Sequence, residues 1–393
     1  MTLIAPAEAQ VSSEPSAKPE AQSGSSCLPA APVGCTLRQL APAAGIRVGA
    51  VLSPTQIDEP DYARTLSSEF SALTAENAMK WYSVESTRGV LDFSGADAVL
   101  QFAEDHDMEV RGHNLVWAQD QFTQQWIKDL TDPNELRGVL YDHIDAVLGR
   151  YAGRIRRWDV VNEPLATTGA GLSDSVFGRV LGPDWLADVY RHAHEVDPTA
   201  ELWLNEFGAD WVPGKHQALL TLVKGLLDDG VPLDGIGLQT HRLSVDGPDR
   251  VVFEQQLRDY AALGLRVAIT EVDVAVRPGD STGLARQAEA YATIFSACLA
   301  VPACEEVTMW GVTDAATWLD SQGILPAPTR PLLFDGNFER KPAYDAVRSV
   351  LAAGRNPAPP VPTTTTTSAP QAGPRVDAPP GAKPIPGAAS FTG

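Results

Sequence analysis

The chain has 393 residues, 44% hydrophobic and 20% charged, with a formal net charge of −20. That balance suits a soluble globular protein with a sizeable core. The acid excess argues against a nucleic-acid partner, which would want a basic face, and against an anionic membrane surface, while leaving a neutral, polar ligand open.

In chain order, residues 1–40 are rich in Ala, Pro, Ser and Glu without periodicity, and read as a disordered leader. Met1–Ala7 shows neither a basic start nor a sustained apolar stretch, so no intact secretion signal is visible. No apolar run approaches the length of a membrane span. Residues 41–353 then alternate short β-rich runs with longer helical patterns. The strand candidates are Ile46–Leu52, Ala72–Ala75, Glu109–His113, Arg157–Val161, Glu201–Leu204, Gly235–Leu238, Arg266–Thr270 and Glu306–Trp310. Helix candidates between them include Leu136–Tyr151, Trp185–Val196, His216–Asp229, Val251–Leu263 and Gly283–Leu299. Alternating βα units imply a parallel sheet. Eight of them, with no Gly-rich phosphate loop after the first strand, imply a closed (β/α)8 TIM barrel of the α/β class, flanked by disordered N- and C-terminal tails. Residues 354–393, with a run from Thr363 to Thr367 set among prolines, read as an extended tail.

The four cysteines form two close pairs, Cys27 with Cys35 and Cys298 with Cys304. An even count at short spacing predicts two local disulfides and an oxidising compartment; four free thiols are the alternative. A metal site is not expected, since neither pair is a CxxC and no His stands at finger-like spacing.

Polar residues recur just after the strand candidates: Glu76 and Asn77, His113 and Trp117, Asn162 and Glu163, Asn205 and Glu206, Gln239 and His241, Glu271 and Asp273, then Trp310, Asp314 and Trp318. In a barrel these strand ends open on one face, where active sites lie. Glu163 and Glu271 end two apolar runs, and a carboxylate there is costly unless it is used. On strands four and seven they would face each other across a bound sugar, as the acid/base and nucleophile of a retaining glycosidase.

The motifs are specific. They include Leu73-Thr74-Ala75-Glu76-Asn77-Ala78-Met79-Lys80-Trp81, Arg111-Gly112-His113-Asn114-Leu115-Val116-Trp117, Trp158-Asp159-Val160-Val161-Asn162-Glu163 and Gln239-Thr240-His241. Ile269-Thr270-Glu271-Val272-Asp273, Trp310-Gly311-Val312-Thr313-Asp314 and Lys341-Pro342-Ala343-Tyr344 complete the series. Over roughly residues 45–350 the chain resembles glycoside hydrolase family 10, the endo-β-1,4-xylanases. The resemblance implies Glu163 as general acid/base and Glu271 as nucleophile. Asn162 would reach the sugar's 2-hydroxyl, with His241 and Asp273 holding Glu271 ionised. Glu76, Asn77, Lys80, His113 and Trp117 would line the glycone subsites. Gln239 would serve the catalytic subsite, with Trp310 and Trp318 as apolar walls. Cys298 and Cys304 match a family disulfide.

The chain departs from the family pattern after the third strand, where the run is Ala118-Gln119-Asp120-Gln121, and after the fifth, where Asn205-Glu206-Phe207-Gly208 stands for the usual Asn-Asp-Tyr-Asn. Ala118 stands where His usually follows the Trp of the third-strand motif, and Gly208 replaces an Asn that contacts the aglycone. The expectation is therefore a retaining endo-β-1,4-xylanase, with another β-glycoside as the alternative and an inactive carbohydrate-binding barrel as the remote one. It would need no cofactor or metal, act on a polysaccharide, be secreted or cell-surface, and be a monomer.

Overall fold

In a computed structural model, residues 34–169 and 171–355 are described. Nine strands run in chain order: β1 Arg47–Leu52, β2 Ala72–Ala75, β3 Glu109–Trp117, β4 Arg157–Asn162, β5 Glu201–Glu206, β6 Gly235–Leu238, β7 His241–Arg242, β8 Arg266–Val274 and β9 Cys304–Met309. Their order in the sheet is β6-β5-β4-β3-β2-β1-β9-β8-β7, and an added β6–β8 pairing closes it. Every ladder between strands is parallel. The result is the expected eight-stranded (β/α)8 barrel, with the two-residue β7 as an extra rung beside β8.

The helices fall where the apolar periodicity put them. Pro133–Tyr151 starts at Asp132, whose carboxylate accepts from the Asn134 N–H at 2.8 Å, with Pro133 in the first turn. Its buried side is Leu136, Leu140, Ile144, Val147 and Leu148, spaced for one helical face. Trp185–Val196 and Gly283–Leu299 match the predicted spans. The folded unit begins earlier than the expected boundary at 41. A short helix, Leu37–Leu40, buries both its leucines, and Leu37 N–H donates to Glu69 at 3.1 Å. Apolar residues that close the barrel's flank explain the difference. Cys298 and Cys304 are bridged as expected, at a sequence separation of 6. Cys27 lies outside the described residues, as do most of the expected leader and the Pro/Thr-rich tail.

The barrel interior is filled by side chains rather than left as a pore. Trp158 on β4 packs so close to β3 that a Cβ at Gly112 would lie 2.2 Å from its ring, so only glycine fits there. At the N-terminal end, Glu306 accepts from Arg157 at 3.0 Å and from Arg47 at 3.2 Å, closing the floor with charge pairs. The opposite end, where the strands finish, carries the site.

Candidate active site

The strands at this end continue through their polar residues, and the ladder shifts where the key carboxylate stands. The β8–β9 register is irregular between Ile269 and Val272, around Glu271. Such bulges re-aim side chains. Glu163 directly follows β4 with φ +54°, a left-handed conformation that non-glycine residues rarely adopt. The following Pro164 disfavours the helical alternative. The surroundings over-determine the strained position. Glu163 N–H donates to the Asn205 carbonyl at 2.9 Å, and Gln119 Nε2 donates to the Glu163 carbonyl at 2.9 Å.

Both glutamates line one cavity of about 420 Å³ together with Lys80, His113, Trp117, Asn162, Gln239, His241, Trp310 and Trp318. Glu271 and Glu163 meet different neighbours there. The His241 ring bridges two carboxylates: Nδ1 lies 2.8 Å from Asp273 Oδ2 and Nε2 lies 3.1 Å from Glu271 Oε2. Burial alone would push the imidazolium's pKa down. Asp273 and Glu271 outweigh it and raise the pKa to about 10, so the ring is a cation at neutral pH. For Glu271, burial favours the neutral acid. The hydrogen bond from His241 and the charges of His113, His241 and Lys80 oppose it and leave the carboxyl below its ordinary range. The Trp318 indole N–H donates to Asp273 at 2.6 Å, locking the far end of the chain.

The second oxygen of Glu271 accepts from Asn205 Nδ2 at 2.6 Å. Thr270 donates to Asn205 Oδ1 at 2.7 Å, which fixes which way the amide points. The same Asn205 Nδ2 reaches Asn162 Oδ1 at 2.9 Å. Glu163 Oε1 instead accepts from two neutral amides, Gln239 at 2.8 Å and Asn162 at 3.3 Å. Behind it, Glu206 is buried with Lys215 Nζ at 2.9 Å and accepts from the Leu165 N–H at 3.0 Å. Burial pushes Glu206 up to about 7, against the pull of Lys215 and with help from Glu163.

On the β2–β3 side, His113 Nδ1 faces Asp159 Oδ2 at 2.9 Å, and Arg111 pairs with the same carboxylate at 2.5 Å and 3.0 Å. That network aims the other face of His113 toward the Trp310 ring, 5.4 Å away edge-on. Lys80 Nζ sits 4.4 Å over Trp117 and donates to Asn77 Oδ1 at 2.9 Å. Burial pulls its pKa down to about 8 despite Glu271, Glu76 and Glu163. Trp117 stacks on Phe122 at 3.6 Å. Glu76 and Asn77 adjoin Lys80 at the cavity and are partly exposed. Asn77 accepts from Lys80 and from Tyr82, and Glu76 biases Lys80 electrostatically.

The structure thus brings together the predicted Glu163, Glu271, Asn162, His241, Asp273, Lys80, His113, Trp117, Gln239, Trp310 and Trp318. Asn205 was absent from the predicted site, although its place at the end of a strand was visible. Gln119 and Phe122 also line the cavity, on the loop after the third-strand motif. Among the described residues, no group of His, Cys, Asp and Glu is arranged to hold a metal ion, and no helix is long and apolar enough to cross a membrane.

The profile of glycosyl hydrolase family 10 matches residues 36–350. Endo-1,4-beta-xylanase 3 of Hypocrea jecorina is 36% identical over 290 residues, 74% of this chain and 78% of that protein. Endo-1,4-beta-xylanase B of Thermotoga neapolitana is 34% identical over 325 residues, covering 80% and 91%. Among solved structures, xylanase 10B of Thermotoga petrophila, in complex with xylobiose, superposes with a TM-score of 0.77 at 35% identity, covering 81% of this chain and 98% of that one. Two glutamates in contrasting environments at the mouth of a (β/α)8 barrel fit these likenesses, and the chain belongs to glycosyl hydrolase family 10.

Proposed function

We propose that the protein is a secreted, monomeric, retaining endo-β-1,4-xylanase that cuts internal β-1,4-xylosidic bonds of xylan without a cofactor. The observation that carries the reading is the asymmetry of the two glutamates. Glu271 is hydrogen-bonded to a histidine cation and lies well buried, whereas amides alone among the side chains bond Glu163 Oε1. Two carboxyls in contrasting surroundings are what acid/base and nucleophile roles require.

In the first step, Glu271 attacks the anomeric carbon while Glu163 gives its proton to the departing glycosidic oxygen. The C–O bond to the aglycone breaks and a glycosyl ester forms on Glu271. In the second, water attacks that carbon, Glu163 takes the water's proton, and the ester bond returns its electrons to Glu271. The anomeric configuration is inverted twice and so retained. Asn162 supplies a contact to the 2-hydroxyl that strengthens as charge develops on the ring. Gln239 and Asn205 hold the two carboxylates apart in register, with His241 and Asp273 supporting Glu271. Glu76, Asn77, Lys80, His113 and Trp117 line the glycone subsites, and Trp310 and Trp318 bury the sugar's C–H faces. The relatives' names and the cysteine bridge at Cys298–Cys304 support xylan and an extracellular setting.

Purified protein incubated with xylan, aryl β-xylobioside and aryl β-cellobioside tests this by chromatography of the products. Xylobiose and longer oligomers from polymer are expected. Cleavage of an aryl glycoside with xylan untouched would move the substrate to another β-glycoside.

A further inference from the structure

The loop leaving β5 joins the departure at Gly208 to an aromatic residue three positions on. Trp211 is 40% exposed, and it is the one aromatic among the strongly exposed large hydrophobic residues described. A single exposed apolar residue is ordinary; its setting is what singles out this one. The Trp211 ring meets Phe207 edge-on at 5.5 Å, and Phe207 lines the catalytic cavity 6.4 Å from the His241 ring. The loop beneath is pinned. Asp210 has a fully buried side chain and pairs with Arg242 at 2.8 Å, and Arg242 adjoins His241 on β7. The N–H groups of Trp211 and Val212 both donate to the Gly208 carbonyl, at 3.1 Å and 2.8 Å. The turn sets Trp211 against Phe207, beside the cavity that Phe207 lines.

Gly208 belongs to the same arrangement. Its φ of +69° disfavours any side chain, and a Cβ there would meet Val212 Cγ2 at 2.9 Å and the Trp211 ring at 3.7 and 3.8 Å. The tight approach is to Val212, while the Trp211 ring stands at ordinary contact distance from that point, so the glycine leaves the near face of the indole uncovered.

We propose that Trp211 is a sugar-stacking platform on the leaving-group side of the cleft, packing its indole against a xylosyl unit beyond Phe207. The inference rests on the xylanase reading. Lys80, beyond β2, and His113 and Trp117 on β3 take the glycone half in that reading, which leaves the β5 side of Glu163 for the departing half. Stacking buries C–H faces without reading hydroxyl direction, so it favours length of chain over pattern of substitution.

The test compares Trp211→Ala and Trp211→Phe with the wild type on xylohexaose and on aryl β-xylobioside, whose leaving group contains no xylosyl unit. The ratio of kcat/KM on xylohexaose to that on the aryl glycoside is expected to fall about tenfold in the Ala variant. Most of the loss should lie in KM, and Trp211→Phe should recover most of the ratio. An unchanged ratio in Trp211→Ala, or a Phe variant no better than Ala, would overturn the platform. A wild type that cleaves the aryl glycoside but leaves xylohexaose intact would overturn the xylanase reading itself.

Discussion

Replacing His241 by Asn isolates the charge that supports Glu271. The ring is 5% exposed and touches two carboxylates, one on Asp273 and one on Glu271. The interval from the ordinary 6.5 to about 10, at about 1.4 kcal/mol per tenfold, amounts to about 5 kcal/mol in favour of the charged ring inside the fold. Because the folded value is raised, that stabilisation is complete below about pH 6.5 and is lost as pH climbs through about 10. Asn at 241 fits the space but brings no charge, so two buried carboxylates lose their shared cation. The variant should be less stable by about 3–5 kcal/mol near pH 6. The gap should narrow steadily toward about pH 10. Urea denaturation of both proteins at about pH 6, 8 and 10, followed by tryptophan fluorescence, measures this. A gap that stays constant with pH would refute a charged His241. The acid limb of kcat/KM should also move to higher pH in the variant, because Glu271 loses the hydrogen bond that holds its pKa down.

Other perturbations separate the roles further. Glu163→Ala should cost about 100- to 10,000-fold on xylan but far less on a dinitrophenyl glycoside that needs no proton, read from kcat on both; equal losses would remove Glu163 as the acid. Asn205→Ala should lower kcat about 100-fold with a smaller change in KM, since its amide holds Glu271 and Asn162 in one geometry. A wild-type kcat in that variant would make the contact incidental. Converting Cys298 and Cys304 together to Ala opens a loop of separation 6. By loop-closure entropy it should cost about 2 kcal/mol, visible as a lower denaturation midpoint.

Several parts of this site are legible in the chain because a buried strand end has few uses for a polar residue. Glu163 and Glu271 announce themselves that way, whereas His241 and Asp273 are legible through the family motifs that contain them. The same residues hide the strands' true lengths. The expected third strand stopped at His113, yet β3 runs to Trp117. The expected seventh stopped at Thr270, yet β8 runs through Glu271 and Asp273 to Val274. A polar residue normally ends an apolar run. Here the strand continues because Asp159 satisfies His113, and His241 satisfies both carboxylates of β8. Asn205 escaped notice as a site residue for a related reason. Its function lies in partners on β4 and β8, 43 and 66 residues away, which no local pattern displays. Glu76 and Asn77 show the converse: the motif flags them, and their contact with Lys80 follows from spacing within that motif. The two-residue β7 is set by its pairing with β8 alone and leaves no periodicity to read.

Trapping the covalent intermediate tests the nucleophile most directly. The protein is incubated with an activated 2-deoxy-2-fluoro β-xylobioside, whose fluorine slows breakdown of the ester, then digested and analysed by mass spectrometry. A fluoroxylobiosyl adduct on the peptide containing Glu271, with activity lost in proportion, is the expected result. Stable labelling of any other residue, or full turnover with no adduct, would contradict double displacement through Glu271.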